Sequence, residues 1–267
     1  MWLRASAPPG SSSARDRASG ADAADAIVAI HPTHAEEEAL VRAHFGGAAD
    51  GYFVEVGANH PTVGSQTWHL ERAGWTGVLV EPQPELAAFL VTERKARVFA
   101  VACTSPDNAG QTLPLHVDGA RSALDRDRMA PGAEPGYTIL VPTRTLDELL
   151  EEAEAPEPVD LLSVDVEGHE IEVLSGFDFA RWRPDLILLE DHVGSLRAHR
   201  FLNSNGYRLL RRIGNNGWYV PADSALQPSA ADRWEILRKY YLALPFRVLR
   251  NGMRRVKRLY SDWWRGR

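Results

Sequence analysis

The chain has 267 residues, 44% of them hydrophobic and 25% charged, the composition of a soluble globular protein. No apolar run reaches the roughly 18 residues needed to span a bilayer, and one cysteine, Cys103, excludes an internal disulfide framework and a cysteine-based zinc site. Residues 225–267 hold eleven Lys/Arg against three Asp/Glu, a net of +8, in a chain whose total is −6, so residues 1–224 carry −14.

Residues 1–30 are rich in Ala, Ser, Arg and Gly and have no apolar h-region. They are expected to be a disordered segment, not a secretory signal, and Asp16, Asp22 and Asp25 argue against an organelle transit peptide. A cytoplasmic location fits the lone thiol. The first element is a helix over 33–45, with capping-box spacing at Thr33 and Glu36 and an apolar stripe of Ala39, Leu40, Ala43 and Phe45. The pattern then alternates. Strands are expected at 52–57, 77–82 and 97–102, with helices at 65–74 and 84–95 between them. Residues 112–144 read as short antiparallel pieces and a loop. A helix follows at 145–155, with a second capping box at Thr145 and Glu148, then a buried strand at 159–168 and a short helix after it. Another strand is expected at 184–191, a helix at 195–206, and a closing hairpin across "GNNG". Alternation of this kind predicts an α/β fold, a mostly parallel sheet with helices on both faces and one antiparallel strand at its edge. The predicted domain spans 31–224.

In such a sheet, ligands sit at the carboxyl ends of the strands near the switch in strand order. "FVEVGANHPTVGSQT" (53–67) puts Gly57 at one such end, and Glu81 ends the next strand. A glycine lets the backbone turn sharply there, and an acid can accept from ribose hydroxyls. A dinucleotide site needs further glycines, because a pyrophosphate must approach backbone N–H groups. Here Asn59, His60 and Pro61 stand in their place. The loop therefore suits S-adenosylmethionine, a cofactor without phosphates. Glu55 could attract its ammonium and Asn59 could donate to its carboxylate. Ala102, at the end of the third strand, is taken with Glu55, Gly57, Asn59 and Glu81 as a cofactor contact. The alternative is a plain strand-to-helix turn at Gly57 and a solvated Glu81.

"LLSVDVEGHE" (161–170) ends a hydrophobic strand in Asp165, Glu167, His169 and Glu170. Asp165 and His169 are the candidate bases, and Glu167 joins them as a catalytic candidate. The neighbouring strand ends in Glu190, Asp191 and His192. Asp165 could instead cap a helix and Glu167 complement its dipole. A divalent metal held by Asp165 and Glu190 is possible but not favoured.

The segments "FVEVGAN", "GVLVEPQPE", "TLDELL", "VDLLSVDVEGHEIEVLSGFDF" and "PDLILLE" together resemble the FkbM family of S-adenosylmethionine-dependent methyltransferases over roughly residues 50–220. The resemblance implies a Rossmann-like class I methyltransferase fold, seven strands with the last antiparallel, and O-methylation of a sugar, polyketide or similar hydroxylated acceptor. It carries the family's first motif onto Glu55, Gly57 and Asn59, its ribose acid onto Glu81, and its fourth-strand motif onto Asp165, Glu167, Gly168 and His169. The chain departs from the family where Asn59-His60-Pro61 replaces the usual Asn-Asp-Gly, which bears on the contacts of this loop. Arg121 and Ser122, in the loop region 112–144, are expected to face the acceptor, as are Glu190 and His192.

The tail 225–267 is expected to be a basic amphipathic helical extension. Phe246, Leu249, Met253, Val256, Tyr260 and Trp263 recur at helical spacing with Arg and Lys between them. Such a helix resembles an interfacial membrane binder, which would make the protein peripheral at a membrane. Packing on its own domain or on a second subunit is the alternative, and nucleic acid is disfavoured for want of a recognisable binding domain. Two other readings of the whole chain are an NAD-dependent oxidoreductase and a non-catalytic scaffold.

Overall fold

A computed structural model describes residues 32–118, 122–124, 136–191, 193, 195–250 and 253. Helix α1 (Pro32–His44) leads into strand β1 (Tyr52–Val56). Next come α2 (Trp68–Glu71), β2 (Thr76–Val80), α3 (Pro84–Glu93) and β3 (Arg97–Phe99). Strands β4 (Ala102–Cys103), β5 (Thr112–Val117) and β6 (Tyr137–Arg144) follow, then α4 (Leu146–Glu152), β7 (Leu161–Val164) and α5 (Glu170–Ser175). The rest of the domain is β8 (Leu186–Glu190), α6 (Arg197–Ser204), β9 (Tyr207–Ile213), β10 (Asn216–Pro221) and α7 (Ala230–Ile236). A wide π-helical turn, Leu237–Leu242, extends α7.

Seven strands form the main sheet in the order β3-β2-β1-β7-β8-β10-β9. The pairs from β3 to β8 are parallel, and β10 is antiparallel to both of its neighbours. This is the mostly parallel, seven-stranded Rossmann-like sheet expected. The antiparallel strand is not at the edge, however. Strand β10 returns between β8 and β9, because the β9–β10 hairpin folds its second strand inward. Side chains alternate between two apolar faces. Val54, Val56, Leu162, Val164, Ile187 and Leu189 enter one core, and Phe53, Leu79, Leu161, Leu186 and Leu188 the other. A strand buried on both faces reads as a continuous apolar run, which is why these strands are visible in the sequence.

Strands β4, β6 and β5 form a second, small sheet. Strand β4 pairs parallel to the end of β6, and β5 pairs antiparallel along its length. The expected third strand over 97–102 is therefore split: β3 ends at Phe99, and Ala102–Cys103 belong to the small sheet. Cys103 is buried, and burial pushes its thiol far above the usual range.

The predicted box on α4 is present. Glu148 N–H donates to Thr145 Oγ1 (3.2 Å) and Thr145 N–H to Glu148 Oε2 (2.9 Å). Helix α1 departs from its predicted stripe, since Ala39 and Ala43 are exposed and the buried positions are Val41 and Glu37. Glu37 is hidden from a hydrophobicity pattern because its charge is hydrogen-bonded. Trp218 Nε1 and Asn216 Nδ2 each donate to its carboxylate at 2.7 Å. The Thr33 side chain and the expected disordered segment lie outside the described residues.

Candidate active site

The chain runs outward from β1 to β2 and β3, then returns to the other side of β1 as β7. The carboxyl ends of β1 and β7 thus mark the switch point where α/β sheets bind ligands. Gly57 leaves β1 there with φ of 84°, and a Cβ on it would stand 1.8 Å from the Asp165 carbonyl oxygen. Asp165 N–H in turn donates to Val56 O at 3.0 Å. The two candidate motifs therefore meet backbone to backbone, at a position only glycine can fill.

Glu81 ends the adjacent strand. Its carboxylate accepts from Asn59 N–H and Gln83 N–H, both at 2.8 Å, one on each oxygen. Each oxygen keeps a second acceptor lone pair. Glu81 is only 3% exposed, and burial raises its pKa. Asn59, with φ of 49°, makes the turn that brings its amide to Glu81.

Glu55 does a different job from the one expected. It faces the core on the Phe53 side, and its carboxylate accepts from Ser65 Oγ (3.0 Å), Gln66 N–H (2.8 Å) and Thr67 Oγ1. Burial raises its pKa, and the nearby Arg94 opposes that rise. Arg94, itself buried, donates to Pro61 O (2.9 Å), Ser65 Oγ (3.1 Å), Thr67 Oγ1 (2.9 Å) and Glu71 Oε2 (3.2 Å). These two residues pin the glycine loop from beneath, so Glu55 shapes the loop. Segment 65–67 is spent on this network, which explains why α2 is four residues and not the predicted ten.

His60 also serves the loop. Its Nδ1 accepts from Thr62 N–H (3.2 Å) and Val63 N–H (3.0 Å), and its ring meets Phe89 edge-on at 5.4 Å. Ala102 packs its methyl among Leu115, Val117 and Val141 in the small sheet's core, leaving only its backbone for a ligand.

At the second motif, carboxylate oxygens of Asp165, Glu167 and Glu190 converge within 4.8 Å of one another. Asp165 is reachable by solvent, with protein atoms crowded round its inner side. Desolvation, then the charge of Glu190 and a hydrogen bond with it, then Glu167 and Glu170, push its pKa well up. Like charges this close oppose the ionisation of Asp165, the direction its pKa takes. Glu167 reaches the group from a left-handed backbone, φ 50°.

His169 is not part of that convergence. Its Nε2 lies 3.3 Å from Thr104 Oγ1 and its Nδ1 3.9 Å from Glu172 Oε2. Ser122 Oγ accepts from Asp118 N–H at 3.0 Å, closing a turn beside the small sheet. Arg121 and His192 lie outside the described residues. Arg94 and Thr104 are the site-shaping residues that the sequence did not reveal.

Residues 55–209 match the family described as the methyltransferase FkbM domain. Over 96 residues the chain is 40% identical to the hexuronic acid methyltransferase AglP of Haloferax volcanii, a match spanning 36% of each protein. Among solved structures, a precorrin-6y C5,15-methyltransferase from Geobacter metallireducens GS-15 aligns with a TM-score of 0.37 and 14% identity, covering 69% of this chain and 86% of that one.

Proposed function

The chain belongs to the FkbM methyltransferase domain family, and on that premise we propose that it transfers a methyl group from S-adenosylmethionine to a hydroxyl of a sugar-like acceptor. One observation carries the choice of cofactor. Most of the amides that could cradle a pyrophosphate are already spent. Asn59 N–H goes to Glu81, Thr62 and Val63 N–H to His60, Gln66 N–H to Glu55, and Thr67 and Trp68 N–H to Ser65 Oγ. Pro61 has no N–H. A dinucleotide would lose these bonds. A nucleoside with a methionine tail needs chiefly Glu81 for its ribose and no row of free amides, so the residues fit S-adenosylmethionine. When bound, that cofactor supplies an activated methyl.

Asp165 is the proposed base. It stands at the carboxyl end of β7 beside Glu167 and Glu190, and burial and their charges raise its pKa, which strengthens it as a base. Glu190 and Glu167 hold the acceptor's hydroxyls beside it, and Ser122 and the small sheet border the acceptor side. His169, tied to Thr104 and Glu172, orients the turn after Asp165. Most of the acceleration is asked of orientation, since the methyl arrives activated. The name of the archaeal relative supports a sugar acid or similar glycan unit as acceptor.

Calorimetric titration with S-adenosylmethionine, its demethylated product and NAD tests the reading. Micromolar binding of the first two, none of NAD, and roughly tenfold or greater weakening by Glu81→Ala are expected. NAD binding, or full affinity in Glu81→Ala, would overturn the cofactor placement.

A further inference from the structure

Eight of the fourteen large apolar side chains exposed among the described residues fall between Trp234 and Met253. Trp234 is 59% exposed, Tyr241 52%, Phe246 75% and Leu249 63%. The opposite side of the same segment is anchored. Tyr240 is fully buried, with Ile236 and Leu244 packed against the core. The Tyr240 hydroxyl accepts from Arg212 Nη1 (3.0 Å) and donates to Asp191 Oδ2 (3.4 Å). The segment is thus held firmly by one face while the other presents aromatic and aliphatic groups to water. Monomeric proteins rarely leave so concentrated an apolar surface without a partner.

We propose that this face docks on an anionic lipid bilayer. The charge pattern chooses that occupant. The tail from 225 to 267 carries +8 and the rest of the chain −14. A two-fold dimer through this face would bring two +8 segments together. An anionic bilayer accepts the aromatic side chains at headgroup depth and attracts Arg and Lys beside them. Arg250 is exposed next to Leu249, and Arg233 is exposed next to Trp234. The tether joins the segment to the sheet: Asp191, which accepts from Tyr240, directly follows Glu190 at the end of β8. The docking itself does not depend on the proposed reaction.

Flotation of the full chain with phosphatidylcholine vesicles, with and without phosphatidylserine, tests this. Recovery with the anionic vesicles should exceed that with phosphatidylcholine by about tenfold and fall with salt. Phe246→Ser with Leu249→Ser should remove it, and Arg250→Glu should weaken it by about tenfold, with melting temperatures unchanged. Equal flotation of the double variant, or no binding to anionic vesicles, overturns the proposal. A dimer in sedimentation that the double variant abolishes, without flotation, would assign the face to a second copy. Preferential capture of a DNA or RNA duplex would assign it to nucleic acid.

Discussion

A methyl group at position 57 would overlap the Asp165 carbonyl, and the left-handed backbone adds about 1–2 kcal/mol for any L side chain. Gly57→Ala should therefore lower both the melting temperature and S-adenosylmethionine affinity, measured by calorimetry on the same preparation. The carboxylate group makes a second, opposite kind of prediction. Glu190 helps raise the pKa of Asp165 by its charge. Glu190→Gln removes that charge, so Asp165 ionises at lower pH and the acid limb of the kcat/KM profile should move down. Asp165→Asn should abolish turnover while leaving cofactor affinity within a fewfold of the wild type. An unmoved acid limb in Glu190→Gln would exclude Asp165 as the titrating base.

At the scale of elements, the glycine loop depends on a side chain from α3's far end. Arg94 sits between Glu55 and Glu71, with its guanidinium over the rings of Phe53 and Trp68. Removing one partner of a buried ion pair typically costs about 3–5 kcal/mol, since it leaves charge without compensation. Arg94→Met should destabilise the chain by about that much in urea titration. Nothing near Arg94 in the sequence announces this, because its partners lie 23 to 33 residues away. The same limit hid the pairing of β4 with β6, the role of Glu37, and Thr104 beside His169. What was legible shared one property: position at a strand's carboxyl end. Gly57, Glu81, Asp165 and Glu190 each close an apolar run, so burial of the run fixes where the residue must stand. Glu55 was misjudged because it lies inside such a run, where a charge must serve the fold.

For the whole molecule, the raised carboxyl groups set how stability follows pH. Asp165, Glu55, Glu81 and Glu170 all bind protons more tightly when folded, chiefly through desolvation. The sign follows from linkage: their contribution is full below the ordinary carboxylate range and fades as pH rises through their raised native values. Asp165→Asn removes one of them. The variant should lose less stability than the wild type as pH climbs from about 4 toward neutrality, and melting curves across that range would register the difference. A steeper loss in the variant would contradict the electrostatics of the carboxylate group.

Cys103 has a practical consequence. Buried in β4, with its thiol held in the protonated form, it is silent toward thiol reagents while the fold is closed. Its reaction therefore times the opening of the junction between the two sheets. A fluorophore on a new cysteine at an exposed tail position would be the only label on the native chain, and its colour would test for contact with lipid.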